Sequence, residues 1–163
     1  MKKIISFLFV FALSLYSHSG MFQSVDDKDA VILQTGKNKD RCPACNMSIP
    51  QYYKTSHAVK FADGSYRQYC SIFCVIDEMK HGYLKEHQKD IVEISAVDAK
   101  TLKIINAKKA YYVIGSSKPP TMSMTSSYAF GSKSDAEEFK KQNGGKIVNY
   151  EAVYKIISKE FGH

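Results

Sequence analysis

The apolar positions of this chain switch between two periods, and the switches mark its elements. Ala58-Val59-Lys60-Phe61 is a short, mostly apolar run, Asp63-Gly64 supplies a hairpin turn, and Tyr66 to Tyr69 returns as a second strand. Ser71 then offers a helix cap, and Ile72, Val75, Ile76 and Met79 fall on one helical face. His81-Gly82 stops that helix, and Ile91-Val92-Glu93-Ile94 reads as a further strand. The same order then recurs. Ala110 to Ile114 is a strand closed by Gly115, and Tyr128-Ala129-Phe130 is a short second one. Ser132 or Ser134 caps a helix over Asp135 to Gln142, Gly144-Gly145 stops it, and Ile147-Val148 returns to the sheet. A last helix, near Glu151 to Ser158, carries Val153, Ile156 and Ile157 on one side. The expected fold is α+β, with two related ββαβ units packed together over residues 41–105 and 106–163. Each unit is too small to bury a large core by itself, so the two are expected to share one.

The flanking segments read differently. Residues 1–20 combine Lys2 and Lys3, an apolar run from Ile4 to Tyr16, and the small residues Ser17, Ser19 and Gly20, the layout of a secretory signal peptide. The run is shorter than the ~20 residues of a membrane span. Residues 21–40 are polar with little periodicity and read as a flexible lead-in. The expected location is the periplasm, and with no cysteine at the end of the leader a lipoprotein anchor is not expected; an uncleaved leader would leave a membrane tether. The formal charge of +7 comes from scattered lysines with no basic run, which argues against nucleic acid as a partner and leaves an anionic membrane surface or an acidic protein.

Chemistry concentrates at two points. All 4 cysteines lie in Cys42-Pro43-Ala44-Cys45-Asn46-Met47 and Tyr69-Cys70-Ser71-Ile72-Phe73-Cys74. The Pro43-Ala44 turn brings Cys42 and Cys45 to one side, and Met47 adds a thioether from the same loop. Thiolates with a thioether favour Cu(I), whereas four thiolates alone suit a tetrahedral Zn2+ equally well. Cys70 at the start of a helix and Cys74 one turn on face the same way, and a helix start lowers a thiol pKa; Cys70 is expected to be exposed there. Cys74 reads equally as a small buried hydrophobe. Met122 and Met124 sit in the polar loop Pro119-Pro120-Thr121-Met122-Ser123-Met124, where no core face needs them. His57 could add an imidazole. Cross-linked disulfides are the alternative in an oxidising compartment. No nucleophile–base order or phosphate loop stands out, so no catalysed reaction is expected.

Taken together, these residues resemble the NosL family, the accessory proteins of nitrous oxide reductase. The resemblance rests on Cys42-Pro43-Ala44-Cys45-Asn46-Met47, Tyr69-Cys70-Ser71, Tyr112-Val113-Ile114-Gly115, Met122, Phe130 and Gly144-Gly145-Lys146-Ile147-Val148. It implies a fold related to organomercury lyase, Cu(I) binding, and delivery of copper toward the reductase's copper–sulfur centre in concert with a membrane transporter. Asn46 stands where the family has glycine, a replacement that a left-handed backbone tolerates. The metal ligands expected on this basis are Cys45, Met47 and Met122, followed by Cys42 and Cys70, with Cys74, Met124 and His57 weaker. Tyr69-Cys70-Ser71 with Cys74 also resembles the Cys-rich "TRASH" modules, so a zinc-stabilised interaction or metal-sensing module is the alternative. A thiol- or mercury-active enzyme is a third.

Overall fold

The computed structural model describes residues 21–161, so the apolar leader over residues 1–20 lies outside the described residues. Its architecture is a four-stranded and a three-stranded antiparallel sheet with helices packed around them. Strand β1 (His57–Phe61) is almost wholly buried because it lies at the inside of its sheet, between β2 (Tyr66–Tyr69) and β3 (Ile91–Val97). The β1–β2 turn closes on Asp63, whose carboxylate accepts from the Ser65 amide at 2.9 Å, while Gly64 takes the left-handed φ of +85°. Helix α1 (Ile72–His81) starts at Ser71, whose hydroxyl accepts from the Cys74 amide, and buries Ile72, Cys74, Val75 and Ile76. A one-turn helix, α2 (Tyr83–Glu86), leads back toward β3.

Strand β3 runs three residues beyond the apolar stretch that announced it, and pairs with an edge strand, β4 (Ile104–Asn106), that the pattern does not announce. Three residues are too few to show a period of two, and Leu102 just before them sits at φ +61°. The second sheet places β5 (Tyr111–Ile114) between β6 (Ser127–Phe130) and β7 (Lys146–Val148). Helix α3 (Lys133–Asn143) is capped by Ser132, and α4 (Tyr150–Ser158) by Asn149. α4 lies against α1, where Phe73 stacks on Phe161 with ring centroids 4.5 Å apart and Lys80 donates to the Ser158 carbonyl at 3.0 Å.

One core joins the two sheets. Tyr112, Ile114, Ala129, Tyr150, Val153 and Ile157 of the second half belong to the same buried cluster as Val59, Val75, Ile76 and Val97 of the first. The seam is also polar. Buried Asp98, at the end of β3, accepts from the Lys100 and Thr101 amides through Oδ1 and from the Gly131 amide through Oδ2 at 2.7 Å. A carboxylate satisfied by three amides ties the β3 turn to the end of β6 without an unpaired charge.

The lead-in over residues 21–40 has almost no regular structure yet is tied down along its length. Gln23 is buried and donates to the Pro119 carbonyl at 3.1 Å. The Leu33 amide donates to the Gln68 side chain, and Gln34 accepts from the Gln68 amide, both at 2.9 Å. The strap thereby supplies hydrogen-bond partners to the open edge of β2, in place of a neighbouring strand.

Gly145 offers a test of this packing. It sits at φ +91°, and a Cβ there would come within 2.5 Å of the Ile114 carbonyl oxygen on β5. Gly145→Ala is expected to cost about 2–4 kcal/mol, read as a lowered midpoint in urea unfolding. An unchanged midpoint would contradict the close approach of β5 and β7.

Candidate metal centre

The first cysteine pair sits on a loop that closes on itself. The Cys42 amide donates to the Met47 carbonyl at 2.9 Å, the Asn46 amide returns to the Cys42 carbonyl at 2.8 Å, and Arg41 bridges to Ser48. Asn46 makes the reversal at φ +61°, a conformation its short side chain tolerates. The second pair spans the β2–α1 junction. Cys70 directly follows β2 and Cys74 lies in the first turn of α1, so one sulfur hangs from the end of the sheet and the other from the helix.

The two pairs converge. The four Sγ atoms lie within 4.8 Å of one another. Cys45 Sγ is 3.4 Å from Cys70 Sγ and 3.8 Å from Cys74 Sγ, and Cys70 and Cys74 are 3.6 Å apart. All four are free thiols. A tetrahedron of sulfurs ~2.3 Å from a central ion has edges of roughly 3.8 Å, so the cluster matches the span of a single coordination sphere.

Burial and charge differ sharply within it. Cys42, Cys70 and Cys74 are buried, whereas Cys45 is half-buried. Cys70 is therefore not the exposed helix-start thiol that its place in the sequence suggests, because Ser71 takes the cap and Cys70 points into the core. Hydrogen bonds from the Cys70 and Cys74 thiols hold the Cys42 pKa down to about 2. Cys70 and Cys74 are pushed up, first by the side-chain interaction with Cys42, whose anion keeps them protonated, and burial adds to this. Burial also raises Cys45. The four sulfurs are thus unequal, with Cys42 inclined to the thiolate and the other three to the thiol, whose protons a bound metal would displace.

The other expected ligands fall in different places. Met47 is half-buried and packs against the core beside the knuckle. Met122 adopts φ +62° and is 44% exposed, and Met124 is 88% exposed. Their loop is nonetheless linked to the cysteines. Buried Thr55 places its hydroxyl 2.8 Å from the Cys70 carbonyl and 3.0 Å from the hydroxyl of Thr121, which is also buried. With one proton to give, Thr55 donates to the nearer carbonyl and accepts from Thr121, so Met122 follows directly on a residue hung from the cluster. Nothing local in the sequence marks Thr55 or Thr121, since their meaning depends on a contact between residues 66 positions apart.

His57 is occupied elsewhere. Its Nδ1 lies 2.9 Å from the Thr55 carbonyl, which can only accept, so Nδ1 carries the proton and Nε2 accepts from the Tyr112 hydroxyl at 3.1 Å. With both ring nitrogens used, His57 is part of the seam between the sheets and has no free lone pair for a metal.

An α+β protein with four convergent thiols has the donor set of a soft-metal binder. The chain belongs to the NosL family, whose model matches residues 34–157. It is also similar to the crystal structure of the copper chaperone NosL from Shewanella denitrificans. The identity is 22% and the TM-score 0.54, with 73% of this chain and 94% of that chain covered. That likeness supports the mixed helix–sheet fold. No curated protein matches the chain.

The buried imidazole makes a pH prediction. Burial lowers the His57 pKa from 6.5 to about 4. The unfolded chain therefore binds a proton that the folded chain refuses between those values, and stability falls as pH drops through that window. The loss is on the order of 3 kcal/mol in total. Urea midpoints should decline from pH 7 to pH 4, and the His57 ring protons should show no titration by NMR above about pH 5. A normal titration near pH 6.5 would refute the buried, neutral assignment.

Proposed function

We propose that the protein binds Cu(I) as cargo on the cysteine cluster and hands it on, with no bond chemistry of its own. The observation that carries this is the convergence of four Sγ atoms within 4.8 Å, with only Cys45 partly open to solvent. Soft thiolates suit Cu(I), which is satisfied by fewer ligands than zinc, so one sulfur can leave while others still hold the ion. Cys45 is the sulfur that a partner's ligand replaces, and Cys42, Cys70 and Cys74 are the buried retaining set. Met47, from the knuckle, and Met122, from the loop tied to Cys70 through Thr121 and Thr55, serve as accessory thioethers, and Met124 is the most exposed sulfur of that loop.

Membership of the NosL family and likeness to a copper chaperone support this reading. In this proposal the receiver is the copper–sulfur centre of nitrous oxide reductase, served through a membrane transporter in the periplasm after removal of the leader. The matching order of strands and helices around the two sheets is taken as an internal ββαβ repeat, of which only the first copy carries cysteines.

A second reading has its own support. Sulfur separations of 3.4 to 3.8 Å approach the edges of a four-thiolate zinc tetrahedron. It makes the protein a zinc-stabilised module that unfolds when the metal is removed.

Anaerobic titration of the reduced protein with Cu(I) against a competing chelator, repeated with Zn2+, separates the two. The expected outcome is one Cu(I) per chain, with Cys45→Ser lowering affinity at least tenfold and the fold intact without metal. Met47→Ile is expected to weaken Cu(I) by a smaller factor. Preference for zinc, with all four cysteines required and unfolding on chelation, would replace the chaperone reading with the second one.

A further inference from the structure

The face of the cluster that reaches solvent opens into a cleft of about 520 Å³. Cys42 to Asn46 form one side, and Gln34, Thr35, Asn38 and Arg41 form the other. Every residue on that second side is polar, while Pro43 and Ala44 are the apolar part of the first. Arg41 is the cation that lines the cleft, and the framing segment 34–41 carries Lys37, Lys39 and Arg41 against a single acid, Asp40. Arg41 is the cation nearest the cysteines in the chain, and it is folded over the knuckle, its Nη1 donating to the Asn46 carbonyl at 3.4 Å. Its other partner, Asp40, lies 3.8 Å away with both side chains about half exposed, so water screens that pair and leaves the guanidinium with donors to spare. The framing segment is also held in place, because Gln34 donates to the Lys39 and Arg41 carbonyls at 2.9 and 2.6 Å.

Cargo transfer requires a second ligand at Cys45 before the first sulfur departs. That ligand must come through this cleft, since the other three sulfurs are buried. We propose that the cleft is the dock of the metal-exchange partner, an acidic segment drawn in by Lys37, Lys39 and Arg41 that carries the ligand replacing Cys45. The inference rests on the cargo-binding reading above and adds to it the site and the charge of the partner. In the exchange one Cu–S bond to Cys45 breaks as one bond to the incoming donor forms, Cu(I) keeps its oxidation state, and the released thiolate takes a proton from water. A dock that draws its partner by charge gives fast encounter, which suits a carrier that must meet its partner and let go.

The test measures affinity and transfer separately. Wild-type and Arg41→Gln proteins are loaded with Cu(I), and transfer is followed by absorbance to two chelators of the same chelating type, the anionic bathocuproine disulfonate and the uncharged neocuproine. Arg41→Gln is expected to bind Cu(I) within about twofold of wild type and to transfer to the anionic chelator at least threefold more slowly at low salt. The difference should vanish at high salt, where charges farther apart than ~3 Å are screened. Transfer to neocuproine should not change, and Arg41→Lys should restore most of the rate. Equal slowing for both chelators, or no slowing, would overturn the docking proposal while leaving Cu(I) binding intact. A loss of Cu(I) affinity in Arg41→Gln would also overturn it, by assigning Arg41 to the charge balance of the metal site. Failure of the wild-type protein to take up Cu(I) would instead remove the cargo reading, and the dock with it.

Discussion

Two thiolates about 4 Å apart repel by roughly 4 kcal/mol at an effective dielectric of ~20, and that repulsion governs everything built around the cysteine cluster. Four sulfurs held within 4.8 Å cannot all be anions unless a cation sits among them. The conflict is eased because the environment favours the anion at Cys42 and opposes it at Cys45, Cys70 and Cys74. Metal binding is thereby linked to proton release, since the thiols must ionise as the cation enters.

Much of this was legible in the sequence, and the reasons differ by element. Ser71, Ser132 and the Gly144-Gly145 stop were readable because caps and glycine stops are local chemistry. The hairpin at Asp63-Gly64 was readable for the same reason. β4 was not, because Ile104–Asn106 is an edge strand stabilised by pairing with β3 rather than by its own period. The pairing of cysteines across the β2–α1 junction could be anticipated from their spacing. Their burial could not, and Cys70 shows why: exposure is set by what packs over the helix start, which no local pattern reports. His57 carries the same lesson in reverse. A histidine near a cysteine pair suggests a ligand, yet Thr55 and Tyr112 consume both nitrogens, and Tyr112 is a partner from the other half of the chain.

The second half of the molecule is more than a support for the first. It contributes the cap on the seam, through Tyr112 and Gly131, and it contributes the methionine loop through Thr121. Thr55 is the junction of these effects. Its carbonyl fixes His57, its hydroxyl meets the Cys70 carbonyl, and its hydroxyl receives that of Thr121. A shift of the methionine loop is thereby coupled to the backbone at Cys70 through two hydrogen bonds between buried groups, which are costly to break without replacement.

The strap over residues 21–40 has a bearing on the fate of the chain as a population of molecules. The Gln34 side chain accepts from the Gln68 amide, and the Leu33 amide donates to the Gln68 side chain, where another strand would otherwise add to β2; the same Gln34 side chain holds the rim of the cleft. Sealing the sheet and shaping the cleft are therefore one structural act. A molecule whose strap came loose would lose the shape of the cleft and expose an unpaired strand edge at the same moment, the template on which like chains self-associate. The cleft and the protection against self-association thus fail together.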